Sequence, residues 1–203
     1  MDTVTNPTTL RALYGETSYL AQRKVLSHLD RHARAFIALS PLVVLATANA
    51  AGQADASPRG DAPGFVRVLD ETSLLLPDRP GNNRLDSFAN VLATPGVGLL
   101  FFVPGIDETL RVNGTARLTT EQYLLVPCAV GGKLPRAGLL ITVAEVFFHC
   151  GKALKRARFW DPSRHQPRQS FPSLGRVIAE QTGACGVDEA EERVIESYRD
   201  HMY

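Results

Sequence analysis

Four arginines, Arg59, Arg67, Arg79 and Arg84, fall within twenty-six positions, interleaved with Pro58, Gly60, Pro63, Gly64, Pro77, Pro80 and Gly81. A guanidinium fork matches phosphate oxygens two hydrogen bonds at a time. Turn-forming glycines and prolines let short apolar strands bring such forks together. The guest that this stretch suits is a planar cofactor carrying a phosphate. Each arginine also has a plainer reading. Arg67 could be an exposed strand residue paired with Asp61 or Asp78, Arg84 a charge on a helix surface, and Arg59 and Arg79 loop residues in water.

Other residues with chemical potential carry weaker patterns. His149 and Cys150 are neighbours on an apolar strand, where consecutive side chains point to opposite faces and cannot hold one ion together, so no metal site is expected. Gly131-Gly132-Lys133 lacks the spacing and the strand-to-helix setting of a phosphate loop and reads as a surface turn. Asp70-Glu71 and Glu191-Glu192 read as solvated charges. No Ser/His/Asp or Cys/His set stands in a motif-like setting, so the catalytic residues are unknown at this level.

The chain as a whole sets bounds on these readings. Its 203 residues, 44% hydrophobic, suffice for one domain with a real core. Twenty-two basic and twenty-one acidic residues leave a net charge of +1, so no global field draws the protein to nucleic acid or to an anionic membrane. Cys128, Cys150 and Cys185 are too few and too irregular for a disulfide framework or a zinc knuckle, which suits a reducing compartment. There is no signal-peptide pattern and no eighteen-residue apolar run, so a soluble, cytoplasmic protein is expected.

Apolar spacing predicts the elements that must position the arginines. Val25, Leu29, His32, Ala33, Phe36 and Ile37 form one stripe of a helix ending near Ser40-Pro41. Leu42 to Ala48 reads as a strand. Phe65 to Leu69 and Ser73 to Leu76 read as a hairpin around Asp70-Glu71-Thr72. Asn49 to Pro63, rich in Gly, Ala, Asp and Pro, is predicted to be a loop. Leu85, Phe88, Val91 and Leu92 predict a short helix stopping at Thr94-Pro95-Gly96. Val97 to Val103, Leu110 to Leu118 and Leu139 to Phe148 are further strands, the second with a clean alternation of apolar and polar residues. Lys152 to Phe159 is basic and helix-compatible, Asp161 to Pro172 is a linker, and two helices follow, the last with acids at its start and arginines later.

About six strands at close intervals, with helices mainly at the ends, predict a mainly β fold with flanking helices (α+β), a six-stranded antiparallel barrel, rather than alternating βαβ units. The expected layout is an N-terminal helical segment at 1–40, the barrel at 41–160 and a C-terminal linker with helices at 161–203, all in one domain.

The ordered series Phe65-Val66-Arg67-Val68-Leu69, Leu76-Pro77-Asp78, Asn82-Asn83-Arg84, Ala93-Thr94-Pro95, Val97 to Phe102 and Thr109-Leu110-Arg111-Val112-Asn113-Gly114 resembles the FMN-binding split-barrel proteins of the pyridoxamine 5'-phosphate oxidase-like group over roughly residues 25–160. The resemblance implies a split barrel of the FMN-binding type. It assigns the FMN phosphate to Arg67, flanked by Val68 and Leu69, with Arg84 as second ligand beside Asn82 and Asn83, where a helix N-terminus would add free N–H groups. It places Pro77 and Asp78 at the edge of the flavin ring. It further implies a homodimer with cofactor sites at the subunit interface, to which Glu108, Thr109 and Arg111 would reach across. Trp160 either stacks on the flavin or fills the core, and Arg59 is a candidate for stabilising negative charge on a reduced ring.

The function so implied is that of an FMN-dependent oxidoreductase acting on a small molecule. Pyridoxamine phosphate oxidases carry an Arg-x-His constellation in a terminal strand, whereas Arg164-His165 here stands in a proline-rich linker, so vitamin B6 is not the expected substrate. Alternatives within the same resemblance are an F420-dependent reductase, a non-catalytic flavin-binding or storage protein, and a haem-binding split barrel that uses a histidine such as His149.

Overall fold

The computed structural model describes residues 3–203 and contains seven strands in one antiparallel sheet, in the order β2-β1-β5-β6-β7-β4-β3. The strands are β1 (Leu42–Ala48), β2 (Ala54–Gly60), β3 (Arg67–Val68), β4 (Ser73–Pro77), β5 (Gly96–Phe102), β6 (Thr109–Thr119) and β7 (Gly138–His149). The helices are α1 (Pro7–Tyr14), α2 (Tyr19–Arg23), α3 (Arg31–Leu39), α4 (Asp86–Ala93), α5 (Gln122–Leu125), α6 (Lys152–Ala157), α7 (Leu174–Thr182) and α8 (Val187–Asp200). The mainly β fold with flanking helices is therefore as expected, with seven strands in place of six. Among the described residues no helix is long and apolar enough to cross a membrane.

The core follows from alternation. Val43 and Leu45 of β1, Val97, Leu99 and Phe101 of β5, and Leu110, Val112 and Ala116 of β6 are buried on one face of the sheet. In β7 the buried positions run Leu139, Ile141, Val143 and then Val146. The change of phase is a bulge: Gly114 of β6 pairs with Val143 while Asn113 pairs with Glu145, so the extra residue Ala144 turns the following side chains to the other face. A Cβ at Gly114 would lie 2.0 Å from the Thr142 carbonyl oxygen, so the two backbones can approach only at a glycine.

Two departures from the sequence-based expectation matter. Asn49 to Pro63 is not all loop, because Ala54–Gly60 forms the edge strand β2 against β1. Its alternation is inverted: Asp55, Ser57 and Arg59 face inward while Ala54, Ala56, Pro58 and Gly60 are exposed. Apolar periodicity cannot reveal such a strand, and Pro58 is tolerated because an edge strand has one free side. The first long helix is also shorter than predicted. Asp30 caps α3 by accepting from Ala33 N–H at 2.8 Å, and Leu26 instead bridges to Val146 of β7. Ala33, Phe36 and Ile37 are buried as the stripe predicts, whereas Val25 and His32 are exposed.

The hairpin β3–β4 forms as expected, as does α4, which ends before Pro95. Helix α4 packs on β1, β2 and β6, burying Ser87 and Val91 and leaving Leu92 exposed. Helices α7 and α8 pack chiefly on each other, brought together at Gly175, where a Cβ would lie 2.6 Å from the Glu191 backbone.

Candidate functional site

A cavity of about 670 Å³ opens between the inward face of β2, the segment joining β4 to α4, the turn before β7 and the segment after α8. The size is that of a small-molecule or cofactor site. Its residues arrive from local rules. Strand β2 presents Asp55, Ser57 and Arg59 because its polar positions face inward. The Asn82–Asp86 segment curls because Asn83 (φ 57°) and Leu85 (φ 59°) both adopt the left-handed conformation. Two such non-glycine residues in three positions are held only by their surroundings and are common at ligand sites. Leu85 precedes the first turn of α4, and no side chain caps that end, so its amide N–H groups and positive dipole end remain available beside the cavity.

Arg59 is anchored from behind. Its Nε donates to Ser57 Oγ at 3.3 Å and its Nη2 to Ser87 Oγ at 3.1 Å, while its guanidinium carbon sits 5.9 Å from the centre of the Phe88 ring. Ser87 in turn donates to Asp55 Oδ2 at 3.2 Å. Arg84 pairs with Asp86 at 2.7 Å and is largely exposed. Leu85, Phe88, Leu134 and Pro135 supply apolar wall.

Asp78 follows β4, fixed by its N–H to the Ala137 carbonyl at 3.0 Å. Burial pushes its carboxyl above the usual aspartate range, against the opposing pull of Arg59, the Arg79 backbone N–H, Arg136 and the Arg79 guanidinium. For Asp61, burial pushes upward, but hydrogen bonds from the Ala62 N–H, Tyr203 and Arg79 outweigh it and hold the carboxyl below its usual range.

The structure thus brings Arg59, Asp78, Asn82, Asn83 and Arg84 to one cavity, together with Arg79. The remaining sequence-predicted residues lie elsewhere in the chain. Arg67 is exposed on β3 and does not line the cavity. Of the two acid partners foreseen for it, Asp61 pairs instead with Arg79, and Asp78 lines the cavity. Val68 packs half-buried against the core, and Leu69 is exposed at the hairpin turn. Pro77 is buried at the end of β4, opposite Gly138. Thr109 is buried at the start of β6, opposite His149, and Arg111 stacks on Phe147 with 4.9 Å from guanidinium carbon to ring centre. Trp160 is half-buried, donates to the Ile106 carbonyl at 3.0 Å and meets Phe159 edge-on. Arg164 ends an exposed 3-10 turn, Pro162–Arg164, rather than sitting in a strand.

Sequence reasoning missed Asp55, Ser57, Ser87, Lys133, Arg136, His201 and Tyr203 as cavity residues. The one signal for any of them was the polar, every-second-residue pattern of Asp55, Ser57 and Arg59. The others come from the first turn of α4, from the turn before β7 and from the segment after α8, and no spacing in the chain announces them.

Residues 29–150, more than half the chain, match the family model described as pyridoxamine 5'-phosphate oxidase. No curated protein sequence matches the chain. Among solved structures, HupZ of Group A Streptococcus is similar at 20% identity and TM-score 0.48, over 59% of this chain and 92% of that one. A conserved hypothetical protein of Mycobacterium tuberculosis is similar at 15% identity and TM-score 0.46, over 71% and 92%. HutZ of Vibrio cholerae, described as a haem storage protein, is similar at 15% identity and TM-score 0.43, over 59% and 93%.

Proposed function

Because the chain belongs to the pyridoxamine 5'-phosphate oxidase family, we propose that its 670 Å³ cavity holds FMN and that the protein is an FMN-dependent oxidoreductase acting on a small molecule. One observation carries the reading: Arg59, Arg84 and the uncapped start of α4 meet at a single cavity that also has apolar walls. The donor set fits the group. Arg59, Arg84 and the amides of the first turn of α4, at Asp86 and Ser87, suit a phosphate dianion. Phe88, Leu134 and Pro135 suit a flat ring, with Asp78 at its edge.

When bound, FMN would supply hydride or electron transfer, which no side chain here can perform alone. The chain's own part is to bind, orient and exclude water. Arg59, fixed by Ser57 and Ser87, is the group assigned to balance negative charge on the reduced ring. The substrate in this reading is not pyridoxamine phosphate, a view supported by the exposed 3-10 turn that ends in Arg164.

The visible spectrum of the purified protein and an FMN titration test the reading. A flavin spectrum, or micromolar binding that weakens at least about tenfold in Arg59→Ala and Arg84→Ala, supports it. A protein that stays colourless and takes up no FMN overturns it.

The same reading includes a homodimer with its cofactor sites at the subunit contact. Apolar side chains left on the surface, among them Leu42, Leu69, Leu92, Tyr123 and Val126, support it. Glu108 and Arg111, which flank the buried Thr109 at the start of β6 and do not line the cavity of their own chain, are the residues this arrangement would bring to the partner's site. Sedimentation equilibrium giving the mass of one chain at micromolar concentration would refute the dimer.

A further inference from the structure

Helix α8 ends at Asp200, and residues 201–203 cross to the rim of the cavity. Tyr203 makes three contacts there. Its hydroxyl donates to Asp61 Oδ1 at 2.8 Å. Its ring centre lies 5.8 Å from the guanidinium carbon of Arg79. Its backbone oxygen accepts from Lys133 Nζ at 2.7 Å. These partners sit after β2, after β4 and before β7, so one residue ties three separate parts of the rim.

Arg79 is committed on all sides. Its Nε donates to Asp61 Oδ2, its Nη2 to the Cys128 carbonyl at 3.0 Å and its Nη1 to the Asp78 carbonyl at 3.5 Å, while the Tyr203 ring covers one face. Asp61, with its side chain only 4% exposed, accepts from Tyr203 on one oxygen and from Arg79 on the other. A guanidinium with its edges so occupied is a strut, not an anion ligand. The arginines of the cavity left for a phosphate are then Arg59, Arg84 and Arg136.

We propose that Tyr203 is a positioning residue for the cavity: its ring and hydroxyl lock the Arg79–Asp61 pair, its backbone oxygen anchors Lys133, and residues 201–203 thereby form a strap over the bound ligand. The inference rests on the cofactor reading of this cavity. Each contact is modest alone, a partly exposed cation–π pair and two hydrogen bonds at the surface, and Tyr203 is still 39% exposed. Because α7 and α8 pack chiefly on each other, these contacts rather than helix burial fix the strap. It closes reversibly, and its opening sets how fast a ligand leaves.

Four proteins test this: wild type, Tyr203→Ala, Tyr203→Phe and, as a control on the exposed face of α8, Tyr198→Ala. The first measurement is the FMN dissociation rate, followed by flavin fluorescence. The expected acceleration is about tenfold for Tyr203→Ala and about threefold for Tyr203→Phe, which keeps the ring, with no change for Tyr198→Ala. The second is amide hydrogen exchange of the ligand-free proteins, in which residues 61–64 and 133–136 should exchange faster in Tyr203→Ala alone. Wild-type binding with an unchanged Tyr203→Ala dissociation rate overturns the strap. If wild type takes up no FMN, the cofactor reading falls and exchange decides: faster exchange at both turns supports the strap, and an unchanged pattern overturns it. Should Tyr203→Ala fail to fold, the Tyr203→Phe rate decides in the same way.

Discussion

The Nη2 of Arg59, on the edge strand, lies 3.1 Å from the Oγ of Ser87, in the first turn of α4. Ser87 is only 2% exposed, and its hydroxyl also meets Ser57 Oγ at 3.1 Å and Asp55 Oδ2 at 3.2 Å. One small side chain thus couples a polar strand to a helix and aims the arginine. Its environment is wholly polar on the β2 side, so removing the hydroxyl leaves two charged groups short of a partner.

Ser87→Ala is therefore expected to lower stability by about 1–3 kcal/mol in urea unfolding and to weaken FMN binding about tenfold. An unchanged unfolding midpoint together with unchanged affinity would show that Arg59 is oriented by something else.

Arg84 gives the opposite pattern. Its ion pair with Asp86 is exposed, and such pairs contribute little to folding. Arg84→Ala should leave the melting temperature as in wild type while reducing FMN affinity at least about tenfold. A variant that melts early without losing affinity would make Arg84 a structural residue.

The rim clamp has a working pH range whose two ends follow from opposite shifts. Asp61 is held below the ordinary aspartate value of 3.8, so its contribution is present above that value and is lost as pH falls through its own lower one. Tyr203 is raised above 10.0, chiefly by its hydrogen bond to Asp61. Its contribution is complete below 10.0 and is lost as pH rises through the higher value. The charged and titratable groups around the pair are Arg79, Lys133, Asp78 and His201. Hydrogen exchange at residues 61–64 should stay slow relative to an unstructured peptide across the middle range and lose protection at both extremes. Asp61→Asn should remove the acid limb, and its persistence in that variant would assign the limb to another group.

Asp78 runs the other way from Asp61. Its value is raised by burial, so the folded protein binds the proton more tightly than the unfolded chain does. Stability from this residue is complete below pH 3.8 and declines as pH rises through the raised value. Asp78→Asn should flatten that part of the stability profile, measured by thermal melts at a series of pH values. A profile identical to wild type would contradict the assignment.

The bulge in β7 is a single-atom matter. A methyl group at position 114 would meet the Thr142 carbonyl oxygen, so Gly114→Ala is expected to destabilise the fold by about 2–4 kcal/mol. A wild-type melting curve for this variant would mean that the two strands can slide apart without loss.

Much of this architecture is legible in the amino-acid order alone. Strands β1, β5, β6 and β7 and helix α4 carry apolar alternation or helical spacing ending at recognisable breakers such as Thr94-Pro95, and burial enforces those patterns directly. Strand β2 escaped because its inward face is polar: Asp55, Ser57 and Arg59 face a cavity rather than a core, and a pattern defined by hydrophobicity is blind to such a face. The site was half legible for a related reason. Arg59, Asp78, Asn82, Asn83 and Arg84 are close in sequence and meet at the cavity, whereas Ser87 acts through a hydroxyl that looks ordinary in any helix. Lys133, His201 and Tyr203 are joined to the others only by tertiary folding.

The family match ends at residue 150, yet His201 and Tyr203 line the cavity. The barrel furnishes the cationic side of the cavity through Arg59 and Arg84, and the segment after α8 furnishes a part of its rim that lies far away in the chain. Exchanging residues 201–203 is accordingly a direct route to retuning which molecules are admitted.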